Sequence, residues 1–497
     1  MSTEWTADEI RRVGRLVVDL IADHLTSLPG RPAFRPMPAA LAQEMAATPP
    51  PADPVSPDDI LRRFTETIEP YPFGNGHPRF WGWINSPPAV MGIFADALAA
   101  AMNPSCAGGY HAAIHLEREV LEWFRELLRF PRGAMGLLVS GGPMATMTAM
   151  AVARHVKSGV DVRQDGLRGA GAPFAFYMTT EGHSCARKAI ELLGFGSASI
   201  RIVPTTDAYT MDVAALDNAI AADRRAGVRP IAVVATAGTT NTGAIDDLQA
   251  IAAVCRRHDV WMHVDAAYGG PAILSDQYGS AIAALAHADS AVVDPHKWMF
   301  VPVEAGFVIV RDGEAMRSAF SLVPSYIRTQ GSAGEVYGLP WFSEYGFQQT
   351  RGFRALKVWM AMQQFGTRGY KAIVEENIAL AQYLADRVRG AEDFELMAPS
   401  SLSVVCFRYV DASTAIEGAD AEVAAAERES AAAALNRAVL ERLQLSGEAF
   451  ITSTELRGRF VLRACVVNYR STREDVDRML DAVRTIGREV GAATGLQ

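Results

Sequence analysis

Two strand-like runs in this sequence end in groups that can do chemistry together, an amine and a carboxylate. Ser290-Ala-Val-Val293 is short, apolar and β-branched, which reads as a buried strand, and Pro295 ends it. His296 and Lys297 follow at once. A lysine at the lip of a buried strand lies in low-dielectric surroundings, which disfavour its ammonium form and free a nucleophilic amine. That is the state a Schiff-base lysine needs. Taken alone the position says little, because most lysines that follow strands are solvated. Upstream, Val260-Trp-Met-His-Val-Asp-Ala-Ala-Tyr-Gly-Gly270 is a second run, ending in Asp265 and followed by small residues. In open α/β sheets ligands sit beyond the carboxyl ends of strands, so Asp265 and Lys297 are expected to face one crevice.

An acid and an amine on neighbouring strand ends suit pyridoxal 5′-phosphate. The lysine takes the aldehyde, and the aspartate keeps the pyridine nitrogen protonated so that the ring accepts electrons. The competing reading is a buried ion pair, which costs desolvation and is seldom kept for stability alone. His263-Val-Asp-Ala-Ala-Tyr-Gly-Gly270 and Asp294-Pro-His-Lys-Trp298, in this order and separation, resemble the group II pyridoxal-phosphate-dependent amino acid decarboxylases. That family includes the aromatic L-amino acid, histidine and glutamate decarboxylases. The resemblance runs from about Glu4 to about Glu489. It implies an α/β protein of transferase fold type I (aspartate aminotransferase-like), with a mostly parallel central sheet covered by helices. Residues 1–85 would form a helical arm packing across a homodimer, 86–368 the large cofactor-binding domain, and 369–497 a small α+β C-terminal domain. The active site would lie near the dimer interface and take an L-amino acid.

Bulk properties agree with an enzyme. The 497 residues exceed one typical domain, 49% are hydrophobic and 21% charged. A net charge of −9 argues against a nucleic-acid partner. The acidic N-terminus has no apolar core of a signal peptide, and no uncharged apolar run reaches the roughly 20 residues of a membrane span. The five cysteines are scattered, forming neither a disulfide framework nor a metal-ligand cluster. A cytoplasmic, metal-free enzyme with no membrane or nucleic-acid partner is expected.

The elements that would position the site follow in order. Residues 6–28 carry apolar positions at helical spacing behind Thr6-Ala-Asp-Glu, a capping-box start. Proline-dense stretches after Arg31 and Thr48 read as an extended arm. Ser56 and Pro57 open another helix. In Gly76-His-Pro-Arg-Phe-Trp-Gly-Trp83 the aromatics are either a core edge or a pocket wall. The resemblance makes His77, Phe80 and Trp81 substrate-pocket candidates. From 86 to about 365 strands and helices alternate, predicting a parallel sheet covered on both faces. Its first functional turn, Ser140-Gly-Gly-Pro143 leading to Thr146, sets backbone N–H groups and a positive helix end around an anion. Gly141, Gly142, Pro143 and Thr146 are therefore the expected phosphate cup, with Pro143 at the first helical position. The family pattern has Ser or Thr where Pro143 stands and an acid where Met144 stands. One hydroxyl contact is lost, Thr146 and the glycine N–H groups are expected to compensate, and cofactor retention should be weaker.

His183 falls at a strand-to-helix corner, where Ser184 and Cys185 offer no catalytic triad. The resemblance stacks His183 on the pyridine ring. It brings Thr236, at the end of the strand from Ile231, into contact with the cofactor, along with Ala267, Asp294 and His296. Asp246 and Asp247 read as charges on a helix N-terminus. Ala305–Arg311 matches the family's return strand, and the Gly/Ser-rich stretch Phe320–Tyr337 reads as a functional loop. In the family such a loop carries a tyrosine that protonates the substrate carbon; Tyr337 is the candidate, with Tyr345 and Tyr326 behind it. A phenylalanine there accompanies oxidative chemistry, so a tyrosine speaks for plain decarboxylation. Beyond it, a helix at 371–389, strands at 403–409 and 460–465 and a closing helix from Arg473 are expected, with Ile416–Ser430 a poorly ordered polar insertion. The expected reaction is decarboxylation of an L-amino acid, aromatic by the residues at 80–83. Alternatives are an aliphatic or acidic substrate, a decarboxylating aldehyde synthase, an aminotransferase, or a cofactor-free binding homologue, which only Pro143 and Met144 favour.

Overall fold

The computed structural model describes residues 4–169, 171–322, 341–410 and 421–494. Two compact units emerge. One spans Ile84–Gln382 and Ala398–Val405, the other Met1–Trp83, Tyr383–Met397 and Cys406–Gln497.

The larger unit is built on seven strands: β1 (Met135–Val139), β2 (Phe174–Met178), β3 (Ile200–Ile202), β4 (Arg229–Thr236), β5 (Trp261–Asp265), β6 (Ser290–Val293) and β7 (Gly306–Val310). Their order is β1-β7-β6-β5-β4-β2-β3. Neighbours from β6 to β3 run parallel, while β7 lies antiparallel to both β6 and β1. Every position of β5, β6 and β7 is buried, which requires cover on both faces and explains their largely apolar sequences. The helices Gly142–Lys157, Ser184–Leu192, Val213–Arg225 and Leu248–Arg257 lie between successive strands, as crossovers of parallel strands demand. This is the mostly parallel α/β architecture of fold type I.

Within the same unit a wholly buried ion pair fixes the edge of the sheet. Arg351 and Glu117 are paired at 2.5 and 3.1 Å, and the guanidinium also donates to the carbonyls of Cys106 and Leu138. A buried guanidinium is tolerable when its charge is paired, and here both terminal nitrogens are bonded while Nε is left without a partner.

The smaller unit holds a four-stranded sheet, β8 (Phe394–Leu396), β9 (Val404–Tyr409), β10 (Thr452–Leu456) and β11 (Arg459–Cys465), in the order β10-β11-β9-β8. Its first helix, Ala7–Ser27, starts with the capping box read from Thr6 and Glu9, and Ser56 caps Pro57–Thr67. The proline-rich arm is interrupted by a short helix, Ala39–Ala47, with Pro38 at its N-cap. The polar insertion expected at 416–430 is corrected in part: Ala421–Ser446 is one helix of 26 residues, and 411–420 lie outside the described residues. Alanine and glutamate are strong helix formers, and Leu435, Val439 and Leu443, four residues apart, bury one stripe of the helix's second half. The helix Arg354–Arg389 breaks at Gly366 (φ 62°, ψ 167°), ahead of the segment read as helix at 371–389.

Candidate active site

Three parallel strands of the larger unit end side by side, and their last residues make the site. In register, Thr236 of β4 lies opposite Asp265 of β5, and Asp265 opposite Val292 of β6. The chain past β6 folds back at once: Asp294 N–H donates to the Ala267 carbonyl (3.0 Å) and Lys297 N–H to the Asp294 carbonyl (2.9 Å). The aspartate motif and the lysine motif are locked together by their own aromatics. Tyr268 stacks on Trp298, centroids 5.0 Å apart and 16° between planes, and Trp298 Nε1 donates to Asn377 (2.9 Å).

Lys297 reaches back to Asp294, Nζ to Oδ2 at 2.9 Å, with the lysine side chain 21% and the aspartate 2% exposed. Burial alone pushes the lysine down, but the charges of Asp294 and Asp265 and the hydrogen bond it donates to Asp294 outweigh it, so its pKa is raised. The expectation that burial would free the amine is therefore reversed in the unliganded chain: Lys297 rests as an ammonium. Asp265 is buried, and its Oδ1 accepts the Ala267 N–H (3.1 Å), which aims the carboxylate along the strand end.

His183 is the N-cap of Ser184–Leu192, its Nδ1 accepting the Cys185 N–H at 3.2 Å. That bond places the proton on Nε2. Burial holds the ring below its usual pKa, against the pull of Asp265, so the imidazole is neutral with an N–H to offer. Asp265, Lys297 and Asp294 all act electrostatically on this ring.

The anion turn is as the sequence predicts, with one shift. Gly141 is the N-cap at φ +143°, a backbone state that only glycine holds without strain, and the helix starts at Gly142. Pro143 therefore stands at the second helical position, not the first. The helix's own ladder begins with Ala145 N–H to Gly141 carbonyl (3.0 Å), leaving the N–H groups of Gly142 and Met144 outside it. Pro143 contributes none. A Cβ on Gly142 would stand 2.8 Å from Asp294 Oδ2, so this position admits only glycine while the carboxylate stays. The Thr146 hydroxyl turns to Cys185 Sγ (3.6 Å), so it is engaged inside the core. His296 Nδ1 bonds the Ala305 carbonyl (2.6 Å) and its ring lies against Gly141.

The N–H groups of Gly142 and Met144 lie outside the helix ladder, at a turn where Gly141 takes φ +143°, and are donors for an anion. A strand-end amine, a strand-end carboxylate, a neutral imidazole and an anion turn then converge, and that donor set fits pyridoxal phosphate. Lys297 would hold its aldehyde carbon, Asp265 its pyridine nitrogen, and the turn its phosphate.

The sequence missed one contributor. Asp246 is not a helix-dipole charge: Asp247 caps Leu248–Arg257, while Asp246 turns back and accepts the N–H groups of Thr236 (2.8 Å) and Met211 (2.7 Å). Burial raises it to about 6. Cys185, read as no part of a triad, is a thiol that burial, with Asp265, pushes up to about 12, which makes it inert packing beside the site. Tyr337 and Tyr326 lie outside the described residues; Tyr345 is half-buried after the turn Phe342–Glu344.

His77, Phe80 and Trp81 belong to the smaller unit, each at 0% exposure. Phe80 stacks on Phe450 (4.7 Å, 9°) and Trp81 Nε1 donates to Ser471 (2.9 Å). His77 Nε2 donates to the Arg31 carbonyl (3.0 Å) while its Nδ1 accepts the Arg79 N–H, and burial lowers its pKa to about 4. Within that unit their role is packing, the core-edge alternative.

Among the described residues no helix is long and apolar enough to cross a membrane, and no group of three or more His, Cys, Asp or Glu is set to hold a metal ion. A family model described as the pyridoxal-dependent decarboxylase conserved domain matches residues 41–410. An aromatic-L-amino-acid decarboxylase of Bacillus atrophaeus is 31% identical over 489 residues, covering 98% of this chain and 97% of that one. Tryptophan decarboxylase 1 of Oryza sativa subsp. japonica is 32% identical over 480 residues, 93% and 90% of the two chains. A crystal structure of Oryza sativa TDC with PLP and tryptamine superposes with a TM-score of 0.88 at 28% identity, over 98% of this chain and 99% of that one.

Proposed function

The chain belongs to the pyridoxal-dependent decarboxylase family, and on that premise we propose that it removes the α-carboxyl group of an aromatic L-amino acid as carbon dioxide and releases the amine. The observation that carries the site is the convergence of Lys297, Asp265 and His183 on neighbouring connections of one sheet. Bound there, pyridoxal phosphate supplies an aldehyde for the amino group and a ring that accepts the electron pair left by the departing carboxyl carbon.

The chain's own residues do the rest. Lys297 Nζ would hold the aldehyde carbon and yield it to the substrate's amino group. Asp265 would keep a proton on the pyridine nitrogen. Neutral His183 offers a flat face and an Nε2–H to the reacting groups. Gly142 and Met144 N–H, at the positive end of their helix, would hold the phosphate. Thr236 and Ala267 would complete the cofactor's surroundings, and Tyr337 would return a proton to the α-carbon. The aromatic class rests on the two relatives, one named for aromatic L-amino acids and one for tryptophan.

We place the enzyme in the cytoplasm as a homodimer. Five buried cysteines, none of them in a disulfide, fit a reducing compartment. The helices Ala7–Ser27 and Pro57–Thr67 bury none of their residues and leave Ile10, Val17, Ile60 and Phe64 exposed, a face that a second copy would cover.

The test is mass spectrometry of products after incubating the cofactor-loaded protein, in air, with aromatic, imidazole, acidic and branched aliphatic L-amino acids. Amines from the aromatic members alone are expected. An aldehyde product, or turnover confined to another class, overturns the proposal.

A further inference from the structure

Asp294 is the buried group to which this chemistry assigns least. Its Oδ2 lies 2.9 Å from Lys297 Nζ and 3.8 Å from His296 Nε2, and its Oδ1 has no hydrogen-bond partner among the described residues. The same carboxylate stands against Gly142, the first residue of the helix whose N-terminus is offered to phosphate. One side chain thus touches the amine and the anion turn together.

We propose that Asp294 is a proton-linked latch that holds Lys297 as an ammonium until a phosphate enters the turn beside it, so that capture of the aldehyde is tied to arrival of the phosphate. The proposal rests on Lys297 being the cofactor lysine. Two negative groups in a small, dry space repel, and the repulsion is relieved when the carboxylate takes a proton. The 2.9 Å contact supplies that proton directly from Nζ to Oδ2. The neutral amine then adds its lone pair to the aldehyde carbon, the carbon–nitrogen double bond replaces the carbonyl, and the oxygen leaves as water. The other ionisable groups facing Lys297 are Asp265 from the end of β5 and His183 and Cys185 from the start of their helix, with His296 on its own segment. Among these, Asp294 alone is in direct contact with Nζ.

The experiment uses the cofactor-free protein and two probes, pyridoxal 5′-phosphate and pyridoxal, which lacks the phosphate. Carbon–nitrogen bond formation is followed by visible absorbance and borohydride trapping across pH. Wild type should capture pyridoxal slowly at neutral pH and faster as pH rises, and should capture the phosphorylated probe with a flatter profile. Asp294→Asn should move the pyridoxal profile to lower pH by about one unit, about tenfold in rate at neutral pH, and shrink the advantage of the phosphorylated probe. Asp294→Ser removes the same charge with a smaller side chain and serves if the first variant melts early. An unchanged pyridoxal profile in either folded variant overturns the latch. If Lys297→Ala still traps both probes at the wild-type position on the chain, the premise fails instead.

Discussion

Asp246 shows how one buried carboxylate sets a strand end. It closes the turn after β4 by accepting two backbone N–H groups, one of them Thr236's, in surroundings that raise it from 3.8 to about 6. The folded chain therefore binds this proton more tightly than the unfolded one, and stability falls as pH rises from about 4 to about 6. At about 1.4 kcal/mol per pKa unit the total is about 3 kcal/mol. In Asp246→Asn that slope should vanish. The stability difference between variant and wild type should move in the variant's favour by about 3 kcal/mol between pH 4 and pH 7 in denaturant melts. A constant difference would show that the carboxylate does not titrate in this window. The residue was illegible in sequence for a physical reason. Asp246 and Asp247 both suit a helix start, and what separates them is a partner 35 positions away at Met211. Lys297, Asp265 and His183 were legible because Asp265 ends a strand, Lys297 follows four residues past another and His183 caps a helix, and local pattern marks all three places.

At the scale of elements, the cofactor turn depends on a bolt far from it in sequence. Arg351 grips the carbonyl of Leu138 on β1, two residues before the Ser140-Gly-Gly turn, and pairs with Glu117 of the helix Ala112–Leu127. Removing one member of a buried pair leaves an uncompensated charge, at about 3–5 kcal/mol. Arg351→Met should lower stability by that amount, and adding Glu117→Leu should recover part of it, since the orphaned carboxylate goes too. Equal loss in the single and double variants, read from unfolding midpoints, would mean the pair contributes packing and not charge. Neither Arg351 nor Glu117 carries a local signature, so neither was read beforehand. Short strands hid for a related reason. β8 has three residues and β10 has five, mostly polar, so neither gives the apolar run that revealed β5 to β7. The helix at 421–446 has the composition of a helix, but its apolar stripe of Leu435, Val439 and Leu443 lies beyond the stretch 416–430, where composition alone was read as disorder.

For the whole molecule, sequence pattern and structure agree where long-range order follows from local alternation. Strands alternating with helices from β1 to β6 demand a parallel sheet, and its ligand edge is then fixed by topology. What alternation cannot supply is which aromatics face a ligand and which fill a core: His77, Phe80 and Trp81 read as pocket wall, and in their own unit they are core. The central claim concerns a single amine. The chain has five lysines, Lys157, Lys188, Lys297, Lys357 and Lys371, so a covalent map is short. The direct measurement is borohydride reduction of the protein loaded with pyridoxal phosphate, followed by peptide mass mapping. A pyridoxyl group on Lys297 alone is the predicted result, lost in Lys297→Ala together with decarboxylation. Stoichiometric labelling of any of the other four lysines, with Lys297 unmodified, would contradict it.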